Sequence, residues 1–324
     1  MQVFTDLEQV PDGFGPSAVT IGNFDGVHRG HQAVLGRLVR LARADALAAV
    51  AVTFDPHPAV VHRPESAPEQ LTGPADRLDL MAATGLDAVL VIPYSLEFAR
   101  QSPEEFVTRY LTQALGARSV VVGHDVRFGR DNSGTLATMV RLGGEHGFEV
   151  VAIDDVGECL AVSAGARQRW SSSAARALLA EGDVAQAADV LGRTHRVRGT
   201  VVHGDARGRE LGFPTANLGG IAGMVPADGV YAGWLRRPAL AAREPGHPDL
   251  RLPAAISIGT NPTFDGVARR VEAYVLDRTD LDLYDEEVVL ELVEHLRPTL
   301  RFDGIDPLVR QMRDDVDRTR AILA

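Results

Sequence analysis

Five short runs of consecutive apolar, largely β-branched residues punctuate the first half of the chain: Ala18-Val19-Thr20-Ile21, Ala49-Val50-Ala51-Val52-Thr53-Phe54, Ala88-Val89-Leu90-Val91-Ile92, Ser119-Val120-Val121-Val122 and Glu149-Val150-Val151-Ala152-Ile153. Their apolar character is continuous. An alternating pattern would leave one face wet, whereas continuous runs belong to strands covered on both sides. Between them, His31 to Ala42, Pro74 to Ala83, Pro103 to Leu115 and Thr135 to His146 carry helical periodicity. Strand and helix repeated at this spacing predict an α/β domain, a Rossmann-like open parallel sheet with helices on both faces. Ligands of such sheets bind beyond the carboxyl ends of the strands.

From about Thr194 the rhythm changes. Shorter strand-like pieces, Arg196 to Val202, Gly229 to Leu235, Ala254 to Ser257, Arg270 to Leu276 and Val288 to His295, are separated by Gly/Pro-rich turns, and an amphipathic stretch from Pro307 to Leu323 closes the chain. This predicts a small antiparallel β-barrel or sandwich with a terminal helix. Two short helices, Ser171 to Ala180 and Asp183 to Leu191, mark the seam, and the expected domains are 1–184 and 185–324. A length of 324 residues suits two domains. Arg237 to Leu252, rich in proline, reads as a surface excursion.

Composition removes several mechanisms. All 33 basic residues are Arg; the chain has no Lys. A Schiff-base lysine, a pyridoxal-phosphate anchor and a Walker-A lysine are therefore excluded. Phosphate, if handled, must meet backbone N–H groups, helix N-termini, His, Arg or a metal. A net charge of −11 disfavours nucleic acid as a partner, because counterion release needs a basic face. The lone Cys159 cannot form an intrachain disulfide. The start, Met1 to Glu8, lacks a basic region followed by an apolar one, and no run reaches the roughly 20 apolar residues of a membrane span. A cytoplasmic protein with no membrane partner is expected. The number of chains in the assembly is left open, a homo-oligomer included.

The first site follows the first strand. Gly22-Asn23-Phe24-Asp25-Gly26-Val27-His28-Arg29-Gly30-His31 leads from a buried strand into a helix. Its glycines let backbone approach a ligand, and N–H groups at the helix start favour an anion. His28 and His31, at i and i+3, can present both imidazoles to one ligand and stabilise charge developing on phosphate. The string does not fit G-x-G-x-x-G of dinucleotide-dependent dehydrogenases.

An H-x-G-H after the first strand resembles nucleotidyltransferases of the cytidylyltransferase-like superfamily. The longer G-N-F-D-G-V-H-x-G-H resembles the adenylyltransferase half of bacterial bifunctional riboflavin kinase/FAD synthetases. Thr53-Phe54-Asp55-Pro56-His57-Pro58, Val121-Val122-Gly123-His124-Asp125-Val126-Arg127-Phe128-Gly129 and Ser171-Ser172-Ser173-Ala174-Ala175-Arg176 follow in that family's order. The resemblance implies that Gly22, Asn23, Phe24, Asp25 and Gly26 cradle the nucleotide, with His57, Asp125 and Phe128 on the substrate. It further implies that Ser171, Ser172 and Arg176 meet its phosphates. Ser171 to Ser173 also suit a plain helix cap. Three positions depart from the family: Trp170 for an aliphatic residue, Ala174 for a second Arg and Val126 for Phe.

The second site lies in the barrel half. Gly204-Asp205-Ala206-Arg207-Gly208-Arg209-Glu210-Leu211-Gly212-Phe213-Pro214-Thr215-Ala216-Asn217 resembles the riboflavin kinase signature, with G-x-x-L-G-F-P-T-A-N intact from Gly208. Thr215 and Asn217, two apart on an extended segment, point to one face and suit Mg²⁺ bridging phosphates. The resemblance places Gly204, Gly208, Arg209, Gly212 and Pro214 on the nucleotide, and Tyr231 and Asn261 in segments lining the site. Glu272, in Arg270-Val271-Glu272-Ala273-Tyr274-Val275-Leu276-Asp277, matches the family's catalytic base; a carboxylate facing a barrel interior is desolvated and strengthened for that work. Where the family often reads D-L-Y-G, this chain has Asp282-Leu283-Tyr284-Asp285.

The implied function is two-step flavin cofactor synthesis. ATP phosphorylates riboflavin to FMN in the barrel, and a second ATP adenylylates FMN to FAD in the sheet domain, with Mg²⁺ as the metal. Two other readings stay open at the level of sequence: a related nucleotidyltransferase with a different phosphorylated acceptor, and a flavin-binding sensor that has lost turnover.

Overall fold

The computed structural model of the chain describes all residues except 154–157, 161–166, 205–207, 209–210 and 264–265. The fold divides into two compact units. The first comprises Met1–Glu69 and Pro74–Glu158, the second Gln70–Gly73 and Cys159–Ala324.

The first unit is the expected open sheet, with one strand more than its apolar runs announced. Strands β1 (Gln2–Phe4), β2 (Ser17–Ile21), β3 (Ala48–Asp55), β4 (Ala88–Pro93), β5 (Ala117–Gly123) and β6 (Glu149–Ile153) are all parallel and lie in the order β1-β4-β3-β2-β5-β6. Three-residue β1 adds an edge to β4, too short to show a pattern. Val19, Val50, Ala51, Val52, Val89, Val120 and Val121 are fully buried, as continuous apolar strands require. The main covering helices are α1 (Arg29–Ala44), α3 (Pro74–Ala82) and α5 (Leu136–His146), with the short α2 (Pro58–His62) beyond β3. The predicted Pro103–Leu115 helix is α4 (Pro103–Phe106), opened by a Ser102–Glu105 capping box, running on as a π-helical segment, Val107–Ala114. Because β3 and β4 extend the sheet on one side of β2 and β5 returns on the other, the order reverses between β2 and β5. Loops leaving the carboxyl ends of β2 and β5 therefore flank a crevice, the place where such sheets bind ligands.

The second unit resolves barrel against sandwich. Strands β9 (His195–Val202), β10 (Ala216–Ala222), β11 (Gly229–Arg236), β12 (Arg251–Thr263), β13 (Gly266–Val275) and β14 (Glu287–Arg297) close as β10-β13-β12-β11-β14-β9, with every pairing antiparallel. The chain also forms a two-stranded sheet from β7 (Glu158–Leu160) and β8 (Arg167–Arg169). Strand β10 carries Asn217, Gly219 and Gly220, a composition that hid it from propensity. Helices α6 (Ser172–Ala180) and α7 (Val184–Leu191), capped by Ser171 and Asp183, bury Ala175, Leu179, Ala187 and Leu191 in the barrel's core cluster. The proline-bearing excursion contains helix α8 (Pro238–Arg243), which buries Leu240, and Asp249 there pairs with Arg278 at 2.6 Å. Helix α9 (Ile305–Leu323) packs on β11, β12 and β14, where Arg297 grips its buried Asp315 at 2.7 Å.

Candidate functional site

The loop after β2 is built from unusual backbone. Phe24, Gly26 and Val27 all take the left-handed region, with φ of 49°, 75° and 38°. For a β-branched residue such as Val27 this is costly and persists only where surroundings enforce it. Burial does so here, since Phe24, Asp25 and Val27 are almost completely enclosed. Gly22 has its own reason to lack a side chain, because a Cβ would press on the Phe24 ring at 3.0 Å. The loop ends at His28, the N-cap of α1, whose Nδ1 accepts the His31 N–H at 3.4 Å. An imidazole accepting through Nδ1 carries its proton on Nε2 when neutral, so the cap leaves that nitrogen a donor. His31 stacks on His28 with centroids 3.7 Å apart and meets the edge of Phe24. Burial, and secondly the nearby His28, push the His31 imidazole well below its usual 6.5. Its Nδ1 is buried without a hydrogen-bond partner among the described residues.

Beside this loop lies a cavity of about 240 Å³ lined by Gly22, Asn23, Phe54, Tyr94, Phe98, Phe106 and Phe128, among others. Its aromatic rings contact one another at 5.3–6.2 Å, two pairs edge to face and two tilted. Such a slot accepts a flat aromatic ligand. Phe128 and Val126 both line it, so Val126 contributes an aliphatic wall. Tyr94, Phe98 and Phe106 escaped the sequence reading. A signal existed, for Phe54 and Tyr94 stand at the carboxyl ends of β3 and β4. His57 caps α2 by accepting the Ala59 N–H at 3.1 Å, and its neighbour Pro58 joins the wall. Asp125 is exposed in the turn after β5, with Oδ1 so close over Gly123 that a Cβ there would sit 2.8 Å away. Ser171 caps α6, accepting the Ala174 N–H at 3.2 Å; Ser172 and Arg176 lie on that helix, in the second unit.

In the barrel, register brings the other candidates together. Asn217 on β10 is paired with Glu272 on β13. The Thr215 hydroxyl donates to the Glu272 carboxylate at 3.3 Å, and the Asn217 amide donates to the Thr215 carbonyl at 3.4 Å. Glu272 does not face the barrel interior. Val271 and Ala273, its neighbours, are buried in the core, so alternation turns Glu272 to the outer face, half-buried beside Thr215. A Cβ on Gly204 would overlap the Asn217 carboxamide, and one on Gly208 would strike the Phe213 carbonyl. Gly208 also accepts the Phe213 N–H at 2.8 Å, and Gly212 takes a φ of 85°. Gly212, Pro214, Thr215, Arg278, Thr279 and Tyr284 help line a cavity of about 270 Å³. Arg278, missed in the sequence, stands in its wall clamped between Asp249 and Asp280. Tyr231 lies elsewhere: it is fully buried in the core, its hydroxyl donating to the Ala227 carbonyl at 2.6 Å. Burial pushes its phenol up to about 12. Asn261 pairs through its backbone with Ala268, whereas Arg207 and Arg209 lie outside the described residues.

The FAD synthetase family matches residues 12–162 and the riboflavin kinase family residues 191–323. A bifunctional riboflavin kinase/FMN adenylyltransferase of Listeria monocytogenes is 35% identical, over 99% of this chain and 94% of that protein. The chain belongs to the bifunctional riboflavin kinase/FMN adenylyltransferase family. The Escherichia coli K12 member is 34% identical, over 92% of this chain and 90% of its own. In fold, the chain is similar to a crystal structure described as a macrolide-efflux protein from Streptococcus pneumoniae, with a TM-score of 0.84, 30% identity and 98% of each chain covered. Among the described residues of the present chain, no helix is long and apolar enough to cross a membrane.

Proposed function

We propose that the two steps of flavin cofactor synthesis divide between the two cavities, with the functional boundary at residues 184 and 185. The enzyme is a riboflavin kinase and an FMN adenylyltransferase. The observation that carries the division is that each cavity borders its own motif: the aromatic slot touches Gly22 and Asn23 of the H-x-G-H loop, and the barrel cavity touches Thr215 beside Glu272.

In the barrel, the ribityl hydroxyl of riboflavin attacks the γ-phosphorus of ATP, the bond to the β-phosphate breaks, and FMN and ADP result. Glu272 takes the hydroxyl proton. The residues present fit Mg²⁺: the Thr215 hydroxyl points its hydrogen at Glu272, which leaves oxygen lone pairs for a hard cation, and the Asn217 carboxamide adds a second oxygen. Bound there, Mg²⁺ would neutralise phosphate charge. In the sheet domain, an FMN phosphate oxygen attacks the α-phosphorus of a second ATP, the α–β bridge breaks, and FAD and pyrophosphate result. The slot of Phe54, Tyr94, Phe98 and Phe128 holds the isoalloxazine ring, and His28 donates to the charged phosphoryl oxygens. The reading places both reactions in the cytoplasm, with small molecules and no nucleic acid as partners.

The test is direct. Purified protein with riboflavin, ATP and Mg²⁺ is followed by chromatography, and FMN should appear first, then FAD. Absence of both refutes the function; FMN without FAD refutes the assignment of the sheet domain.

A further inference from the structure

Arg77, on α3, heads the fully buried side chains by volume, at 1% exposure. One contact serves it: Nη2 meets Asp55 Oδ1 at 3.5 Å, while Nε and Nη1 are buried with no hydrogen-bond partner among the described residues. Burial draws the guanidinium below the usual arginine range; Asp55 and then Asp25 oppose this. Packing alone does not call for a charge here, because a Met or Leu would fill the space without desolvating an ion.

The two carboxylates explain the location. Asp55 ends β3, two residues before His57. Asp25 is 2% exposed and sits inside the left-handed loop that delivers His28, and α3 packs against that same turn, Asp25–Val27. Strands β2 and β3 are neighbours, so one buried cation stands against two loops that leave adjacent strands toward the crevice. A loop holding Phe24, Gly26 and Val27 at positive φ needs restraint from outside itself.

We propose that Arg77 is a positioning residue for adenylyl transfer: its guanidinium, held on Asp55 and set by α3 against the Asp25–Val27 turn, fixes the loop that presents His28. The proposal rests on the sheet domain forming FAD.

The experiment measures FAD formation from supplied FMN and ATP, and FMN formation from riboflavin in the same preparations. Arg77→Met should lower kcat for FAD by about 10- to 100-fold, the scale of a small misplacement, with little change in KM and an unchanged kinase rate. Arg77→Lys should recover part of the loss. If the unmodified chain makes no FAD, the functional reading fails; if it does and Arg77→Met equals it, this inference fails. A defect that Arg77→Lys leaves unrelieved also overturns it. Should Arg77→Met not fold, Asp55→Asn decides: the Asp55 side chain is 42% exposed, and the variant should lower kcat for FAD at unchanged KM and unchanged unfolding temperature. Wild-type kcat in that variant refutes the tie.

Discussion

The imidazole of His31, stacked on His28 and titrating well below 6.5, couples this residue to acid stability. An unfolded chain protonates it near 6.5, whereas the folded unit resists the proton. Its contribution is therefore complete above about 6.5 and is lost as pH falls from there toward the lower folded value. His31→Gln should flatten the decline in unfolding temperature between pH 7 and pH 5. An identical slope in the variant would show that other groups cause it. Asp285 is the second residue whose conformation decides a sequence puzzle. It stands where the pattern this chain resembles often has Gly, and it adopts a φ of 60°, with its N–H on the Val201 carbonyl at 2.9 Å. Asp and Asn tolerate this region better than other side chains, so the departure from the family pattern keeps the turn. Asp285→Asn should be nearly neutral, and Asp285→Val should cost about 1–2 kcal/mol in denaturant unfolding. Equal stability of the two variants would contradict the left-handed turn.

At the scale of elements, one buried carboxylate stitches the barrel wall. Glu291 on β14 meets Arg196 of β9, Arg236 of β11 and Arg251 of β12 at 3.2–3.3 Å, and Arg251 also stacks on Trp234 at 4.0 Å. Arg236 and Arg251 are directly paired across β11 and β12, an arrangement of like charges that Glu291 compensates. Glu291→Gln should therefore destabilise the second unit by about 2 kcal/mol, below the full cost of an unpaired buried ion because two of the arginines reach water. Calorimetry that finds the barrel transition unmoved would refute this. The aromatic slot is likewise a property of elements: Phe54, Tyr94 and Phe128 meet because three parallel strands end on one edge, not because of their spacing along the chain.

For the whole molecule, the division of labour makes the firmest prediction. His28→Ala should abolish FAD formation and leave FMN formation nearly intact, and Glu272→Gln should do the reverse, read by product chromatography. Equal loss of both activities in either variant would mean the two sites are not separate. The alternation of buried strands with amphipathic helices, then of short strands with Gly/Pro turns, was enough to predict both architectures, because burial on two faces or on one leaves a period in the chain. Motif order pointed to His28, His31, Thr215, Asn217 and Glu272 through the resemblance to the family's two signatures. The chain's lack of Lys likewise determined that phosphate charge must fall to amides, His, Arg and metal. What carries no local signature needed the tertiary structure. Strand parity turned Glu272 outward, burial lowered the basicity of His31, and packing of α3 against the Asp25–Val27 turn converted Arg77 from an ordinary helical residue into a buried cation beside Asp55. Protonation, exposure and encounter depend on neighbours distant in sequence, which only the folded chain brings together.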